Sequence, residues 1–261
     1  MVKVNMNMNM NMEKRIMDIG YKNNSYKIVD ELISEREIKL LQGQLLKIGN
    51  NLDTALQFHD LDDMWNHYKL NDRRSGASIY NGFKYLPSIS TIANSSRMKS
   101  SLKTICGINN PALIDINCRI DSSGEEKYLF DWHQDYWFSL SSRNAVVVWI
   151  PISGLEPSKG GLDIIPVDSD HIKIYKTKPG HKYDSYADAV LLEEEIPYDE
   201  ARRINHMDIG SALFFSFSSL HKSLPITSHD KSRFTVQLRF ADFDDSEFIS
   251  NQYRPGQVSK D

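Results

Sequence analysis

Cysteine is scarce in this chain. Only Cys106 and Cys118 occur among 261 residues, which excludes a disulfide framework and makes a reducing cytoplasmic setting the expectation. Long apolar runs are also missing. No stretch is long enough to span a bilayer, and the N-terminal MVKVNMNMNMNMEKR lacks the continuous apolar segment of a signal peptide. Its alternating Asn and Met read as a disordered leader over residues 1–20. Positive charge is not clustered: 31 basic against 35 acidic residues give a formal net charge of −4, so neither a nucleic acid nor a membrane is an expected partner. No internal repeat and no Gly/Ser linker interrupts the body. One domain over residues 21–261 is the simplest reading, and a chain of this length buries a full core.

What is present changes character near residue 110. Before it, helix signals dominate. Residues 30–49 carry Leu32, Ile33, Ile38, Leu41, Leu45, Leu46 and Ile48 at three-to-four spacing, with Asp30 suited to cap the start and Gly49 the end. A second helix is predicted near 62–70. A third follows Ser95, runs through Met98, Leu102 and Ile105, and stops at Gly107. These pieces, about 28–108, carry no catalytic pattern and read as supports. From residue 112 the signals are strands, predicted over 112–120, 145–152, 161–166, 210–217 and 233–240 and separated by Gly, Pro, Ser and Asp clusters. They predict a mainly β core over about 112–242. The charged stretch 168–207 is too long for a plain connection and reads as a lid or excursion shaping an entrance.

Two local patterns point to chemistry. In 233–240, Arg233, Thr235, Gln237 and Arg239 share one strand face, opposite Phe234, Val236, Leu238 and Phe240. A polar face inside an apolar barrel is costly unless it lines a wet cavity or meets a ligand. In Asp131-Trp132-His133-Gln134-Asp135, His133 and Asp135 are two apart, so on an extended segment both reach one side. A later histidine on a neighbouring strand completes two imidazoles and one carboxylate, a facial set that leaves iron(II) positions open. His221, after the strand at 210–217, fits. His-x-Asp alone is weak evidence, and His59, His67, His171, His181, His206 and His229 read as structural.

Three blocks strengthen the pattern: Trp132-His133-Gln134-Asp135, AVVVWIPISGLEPSKGGLDIIPVDSDH over 145–171, and GSALFFSFSSLHKSLP over 210–225. In order and spacing they resemble the phytanoyl-CoA dioxygenase-like family of iron(II)/2-oxoglutarate oxygenases, across roughly residues 112–241. The departures are IPVDSDH for the family's IPGSH segment, and Ser211 where the family has Asp. The resemblance implies a double-stranded β-helix, a jelly-roll or cupin-like core with a helical N-terminal part. It implies His133, Asp135 and His221 as iron ligands, and Arg233, about a dozen residues past the distal His, as the two-pronged partner of the far carboxylate of 2-oxoglutarate. Arg239 shares that face but lies roughly 20 Å further along a strand, where a structural ion pair is the better reading. Ser223 matches a position that hydrogen-bonds the cosubstrate. Trp149 matches an aromatic that packs against it, and suits a core equally well. Arg119 either faces the substrate or cosubstrate or pairs with Asp121. Tyr136 and Trp137 either wall the substrate pocket or pack in the loop.

The implied activity is oxidation of an unactivated C–H of a small-molecule metabolite, with O2 consumed and succinate and CO2 released. Asp135 favours hydroxylation, or another oxidation such as desaturation, over halogenation, because related halogenases carry a small residue there. The rivals are a zinc or manganese isomerase on the same barrel and a non-catalytic small-molecule-binding jelly-roll.

Overall fold

The computed structural model describes residues 19–136, 142–168, 170–178, 191–192 and 194–254. A short helix α1 (Ile19–Asn24) leads into strand β1 (Tyr26–Val29), and five helices follow: α2 (Glu35–Leu52), α3 (Leu61–Asn71), α4 (Arg73–Phe83), α5 (Pro87–Ala93) and α6 (Ser96–Cys106). The rest is strands, β2 (Pro111–Ser122), β3 (Val146–Pro151), β4 (Gly161–Ile164), β5 (Thr177–Lys178), β6 (Leu191–Leu192), β7 (Arg202–Ile204), β8 (Ala212–Ser216), β9 (His221–Leu224) and β10 (Ser232–Asp242), before a closing helix α7 (Ser246–Ser250).

Two antiparallel sheets form the core. The larger has the order β1-β8-β3-β10-β2 and the smaller β7-β4-β9, while β5 and β6 make a separate ribbon. Burial on both faces explains the unbroken Val-Val-Val-Trp-Ile run of β3. Val146, Val148 and Ile150 pack with Leu41, Leu45 and Met64 of the helical layer. Val147 and Trp149 point the other way, into the space between the sheets, beside Leu162 and Phe215. The apolar face of β10 joins the helical side, which leaves its polar face pointing into the jelly-roll. A fully buried aliphatic side chain of this kind contributes about 1.5–3 kcal/mol.

Helix ends follow local chemistry. Ser34 caps α2, with Glu37 closing a capping box. Asp60 caps α3, and α6 runs from its Ser95 cap to a left-handed Gly107, as its sequence signals indicate. Asp30 does not cap α2. It accepts a hydrogen bond from Ser211, the residue that departs from the family pattern. Three features were missed in the sequence. Residues 26–29 pair with β8 at the sheet edge, although the stretch is too short to stand out as a strand. Helices α4 and α5 carry too few large apolar residues to show a clear period. The end of the 168–207 stretch is β7, an edge strand of the smaller sheet hidden by its exposed Arg202 and Arg203. Of the leader expected over 1–20, residues 1–18 lie outside the described residues, while Ile19 and Gly20 begin α1 and so belong to the folded body.

Candidate active site

The metal motif sits where the two sheets open. His133 pairs with His221 of β9 through reciprocal backbone hydrogen bonds, His133 N–H to His221 O at 3.0 Å and the reverse at 3.1 Å. This bridge lays residue 133 alongside β9 and sets the two imidazoles 4.2 Å apart, centroid to centroid. One ligand atom each from His133, Asp135 and His221 lies within 4.8 Å of the others, and all three residues are buried.

Hydrogen bonds orient these groups for a cation. His133 Nδ1 lies 2.6 Å from the Asp131 carbonyl and His221 Nδ1 lies 3.0 Å from the Ser219 carbonyl. A carbonyl only accepts, so each Nδ1 carries the proton and each Nε2 keeps its lone pair for a metal. Burial lowers the His133 imidazole to about 3, with His221 adding repulsion. Burial also lowers His221. Both are therefore neutral, as ligation requires. Burial opposes ionisation of Asp135, but the charged Arg239 guanidinium outweighs it and holds its carboxyl below the usual range. Gln134, fully buried, faces away from the metal side. It donates to the Ser218 and Lys173 carbonyls and accepts from Tyr175 N–H, tying the stretch after residue 168 to the back of the motif.

The trio opens into a cavity of about 660 Å³ that also includes Trp149, Ser223, Arg233 and Arg119. Four of the six cofactor or substrate candidates thus share a cavity with the metal motif, and the two arginines have protein partners there. Arg233 is 2% exposed, and its Nε and Nη2 both reach Asp121 Oδ2, at 3.3 and 2.9 Å. Its Nη1 donates to the carbonyls of Lys159, Gly161 and Leu224. The expected two-pronged grip on a ligand is therefore not free on the Nε–Nη2 edge, because Asp121 occupies it. One Nη2 hydrogen remains. Arg119 takes the pairing alternative, reaching Asp121 Oδ1 at 2.6 Å and lying over the Phe130 ring. Arg239 forms the ion pair its position suggests, with Asp115 at 2.7 Å, and its Nη2 also donates to Asp135 itself at 3.2 Å and to Gln237 Oε1 at 3.3 Å. Tyr136 is not in the cavity wall. Its hydroxyl turns to Glu247 at 3.4 Å, which satisfies the loop-packing alternative. Trp137 lies outside the described residues.

The donor set suits an acceptor-rich ligand. Arg119 Nε, Arg239 Nε and Thr235 Oγ1 are buried without a hydrogen-bond partner, and a buried donor left unpaired costs about 1–3 kcal/mol. Asp121 entered the sequence reading only as the pairing alternative for Arg119, not as the counter-ion of Arg233, although Asp115, Asn117, Arg119 and Asp121 alternate along β2 just as the polar residues do along β10. That shared alternation was the available signal. The cavity wall also includes Trp65 and Lys69 of α3 and one face of α4, formed by Arg73, Gly76, Ala77 and Tyr80. These helices read as mere supports in the sequence. Among the described residues, none from 168–207 lines the cavity.

A jelly-roll with two histidines and one aspartate converging between its sheets defines an iron- and 2-oxoglutarate-dependent oxygenase, with O2 as cosubstrate. The profile of the phytanoyl-CoA dioxygenase (PhyH) family matches residues 26–235, and the chain belongs to that family. Solved structures of similar fold include the non-heme monooxygenase ThoJ in a nickel complex (TM-score 0.54, 12% identity, covering 85% of this chain and 75% of that one). EctD from S. alaskensis, solved with 2-oxoglutarate and 5-hydroxyectoine, has a TM-score of 0.52 at 14% identity, covering 85% and 73%. The epimerase SnoN, in complex with Fe3+, alpha ketoglutarate and nogalamycin RO, has a TM-score of 0.50 at 14% identity, covering 89% and 84%. No curated protein sequence matches the chain. No helix among the described residues is long and apolar enough to cross a membrane.

Proposed function

We propose that this enzyme hydroxylates an unactivated C–H of a small-molecule metabolite in the cytoplasm, with iron(II) held by His133, Asp135 and His221. The observation that carries the reading is the convergence of the three ligand atoms, with both Nδ1 atoms tied to backbone carbonyls so that each Nε2 carries the lone pair a metal needs. When bound, iron with 2-oxoglutarate and O2 supplies the oxidising equivalent, and 2-oxoglutarate leaves as succinate and CO2.

The chain's own residues hold, orient and exclude. Arg233 gives positive charge and its remaining Nη2 hydrogen to the far carboxylate of 2-oxoglutarate, and Ser223 adds a hydroxyl in the same cavity. Trp149, Phe215 and Leu162 supply an apolar wall that limits water near the metal. Arg239 fixes the Asp135 carboxylate, so its retained charge stays at the iron and leaves no place for a halide. Cys106 and Cys118 are buried and form no disulfide with each other, which fits a reducing compartment.

The test is anaerobic addition of iron(II) and 2-oxoglutarate, followed by the visible charge-transfer band of the chelate. The expected result is a band that His133→Ala abolishes. Absence of the band in the wild type would sink the oxygenase assignment of these ligands. Succinate release in a substrate screen, followed by mass spectrometry, then distinguishes the outcome. A gain of one oxygen supports hydroxylation, loss of two hydrogens marks desaturation, and unchanged mass marks an epimerisation of the kind named for SnoN.

A further inference from the structure

The cavity has a dry end and a wet end. His133, Asp135, His221 and Arg233 at one end are buried, whereas Arg73, Ala77, Tyr80, Lys84 and Tyr128 at the other are exposed. The wet end is therefore the mouth through which a substrate enters. One face of α4 builds much of its rim, since residues 73, 76, 77, 80 and 84 recur at helical spacing.

The ionised side chains of the lining almost cancel, and the remainder is informative. Six cations and four carboxylates face the space. Asp121 is shared between Arg119 and Arg233. Arg239 spans Asp115 and Asp135. Arg73 pairs with Glu125 at 2.5 Å. Iron(II) and the dianion of 2-oxoglutarate offset each other in charge. Lys69 and Lys84 are left with no carboxylate partner among the described residues, and the Lys84 ammonium lies 5.1 Å from the centroid of the Tyr85 ring. A mouth with two unanswered ammonium groups, on a protein of net charge −4, is a local attractor for an anion. The same cavity is lined by the exposed rings of Tyr80 and Tyr128 and by Phe130, half-buried with its ring centroid 5.0 Å from that of His133, a surface for an apolar or planar body that reaches the metal motif.

We propose that the substrate is a small organic anion, carrying a carboxylate or phosphate that Lys69 and Lys84 hold at the mouth while its apolar body lies along the Tyr80, Tyr128 and Phe130 rings. The group to be oxidised then points inward. The inference rests on the oxygenase reading for which end of the cavity reacts, but the lysine mouth is testable without turnover.

The probes are 8-anilinonaphthalene-1-sulfonate, which joins an aromatic body to one anionic group, and N-phenyl-1-naphthylamine, the same body without the charge. Both are titrated by fluorescence into protein loaded anaerobically with iron(II) and 2-oxoglutarate, with the chelate band recorded in the same cuvette. The sulfonate is expected to bind more tightly than the neutral dye, and to weaken as salt rises. Lys69→Gln and Lys84→Gln are each expected to weaken it about threefold to fivefold, and the pair roughly tenfold, with the neutral dye unchanged. Ala77→Trp, which narrows the mouth, is expected to weaken both dyes. Competition by acetate or by inorganic phosphate identifies which acid group the mouth prefers. Equal affinity for the two dyes, or lysine variants that bind the sulfonate as the wild type does, overturns the proposal. A normal chelate band beside that result leaves the oxygenase reading intact. A missing band with the lysine effect preserved overturns the oxygenase reading and keeps the anion site.

Discussion

Arginine and aspartate do different work at each end of the polar strand faces. At Arg239 the guanidinium bridges Asp115 and Asp135, so it acts on the metal through the carboxylate it orients. Replacing Arg239 with Met is expected to lower the affinity for iron(II) or manganese(II) about 10- to 100-fold, the usual cost of losing a group that fixes a metal ligand, and Arg239→Lys is expected to recover part of it. Isothermal titration of the apoprotein checks this without turnover. At Asp121 the carboxylate serves two buried arginines, and its removal leaves both charges uncompensated. Asp121→Asn is expected to cost about 3–5 kcal/mol in urea unfolding. The pH dependence follows from the direction of its shift. Burial opposes ionisation, but Arg119 and Arg233 outweigh it and hold the carboxyl below the ordinary range. Its contribution is therefore complete above the unfolded-state value and is lost as pH falls through the folded one. The gap between wild type and Asp121→Asn should shrink toward acid, and a gap that widens there would refute the charge argument.

Among the elements, the turn into β4 shows why the Gly-Gly pair at 160–161 is needed. Gly160 has φ +71°, and a Cβ there would lie 2.6 Å from the Leu224 and Pro225 carbonyls and 2.9 Å from Arg233 Nη1. Backbone, strand β9 and the arginine meet at one point, and only a missing side chain admits them. Gly160→Ala is expected to lower thermal stability and also to weaken 2-oxoglutarate binding, because relief of the clash displaces Arg233. A variant with reduced melting temperature and unchanged 2-oxoglutarate affinity would break that link. Element type was legible wherever a strong period or a cap signal existed. The run at 146–150 had to be a buried strand, and Ser95 and Gly107 bound their helix as local chemistry dictates. Helix α4 was not legible, because its residues on the cavity side are Gly76, Ala77, Arg73 and Tyr80, chosen by contact with a space and not by a core. Strand β7 was hidden for the opposite reason: an edge strand of three residues exposes its charges and shows no apolar run.

At the scale of the whole molecule, the helical layer and the sheets enclose a polar interior that is incomplete without ligands. Two neutral imidazoles facing one carboxylate, with Arg119, Arg233 and Arg239 lining the same cavity, stabilise a bound state more than the empty one. Binding to the folded chain alone therefore raises its stability by mass action, about 2.7 kcal/mol when a ligand is at 100 times its Kd. Manganese(II) with 2-oxoglutarate is expected to raise the melting temperature of the apoprotein by more than either alone, in a thermal scan free of O2 chemistry. An additive or absent shift would argue against a shared site.

The sequence by itself determined the mainly β class of the core, the His-x-Asp pair and the polar face of β10, each encoded by residue type at short spacing, while the jelly-roll and His221 as third ligand followed from the resemblance of three longer blocks to a known family. Tertiary structure alone decided the partners. The counter-ion that occupies the Arg233 edge, the hold of Arg239 on Asp135 and the lysine-bearing mouth each join residues distant in the chain. Their meeting follows from how strands pair and where helices pack, and no local pattern records that.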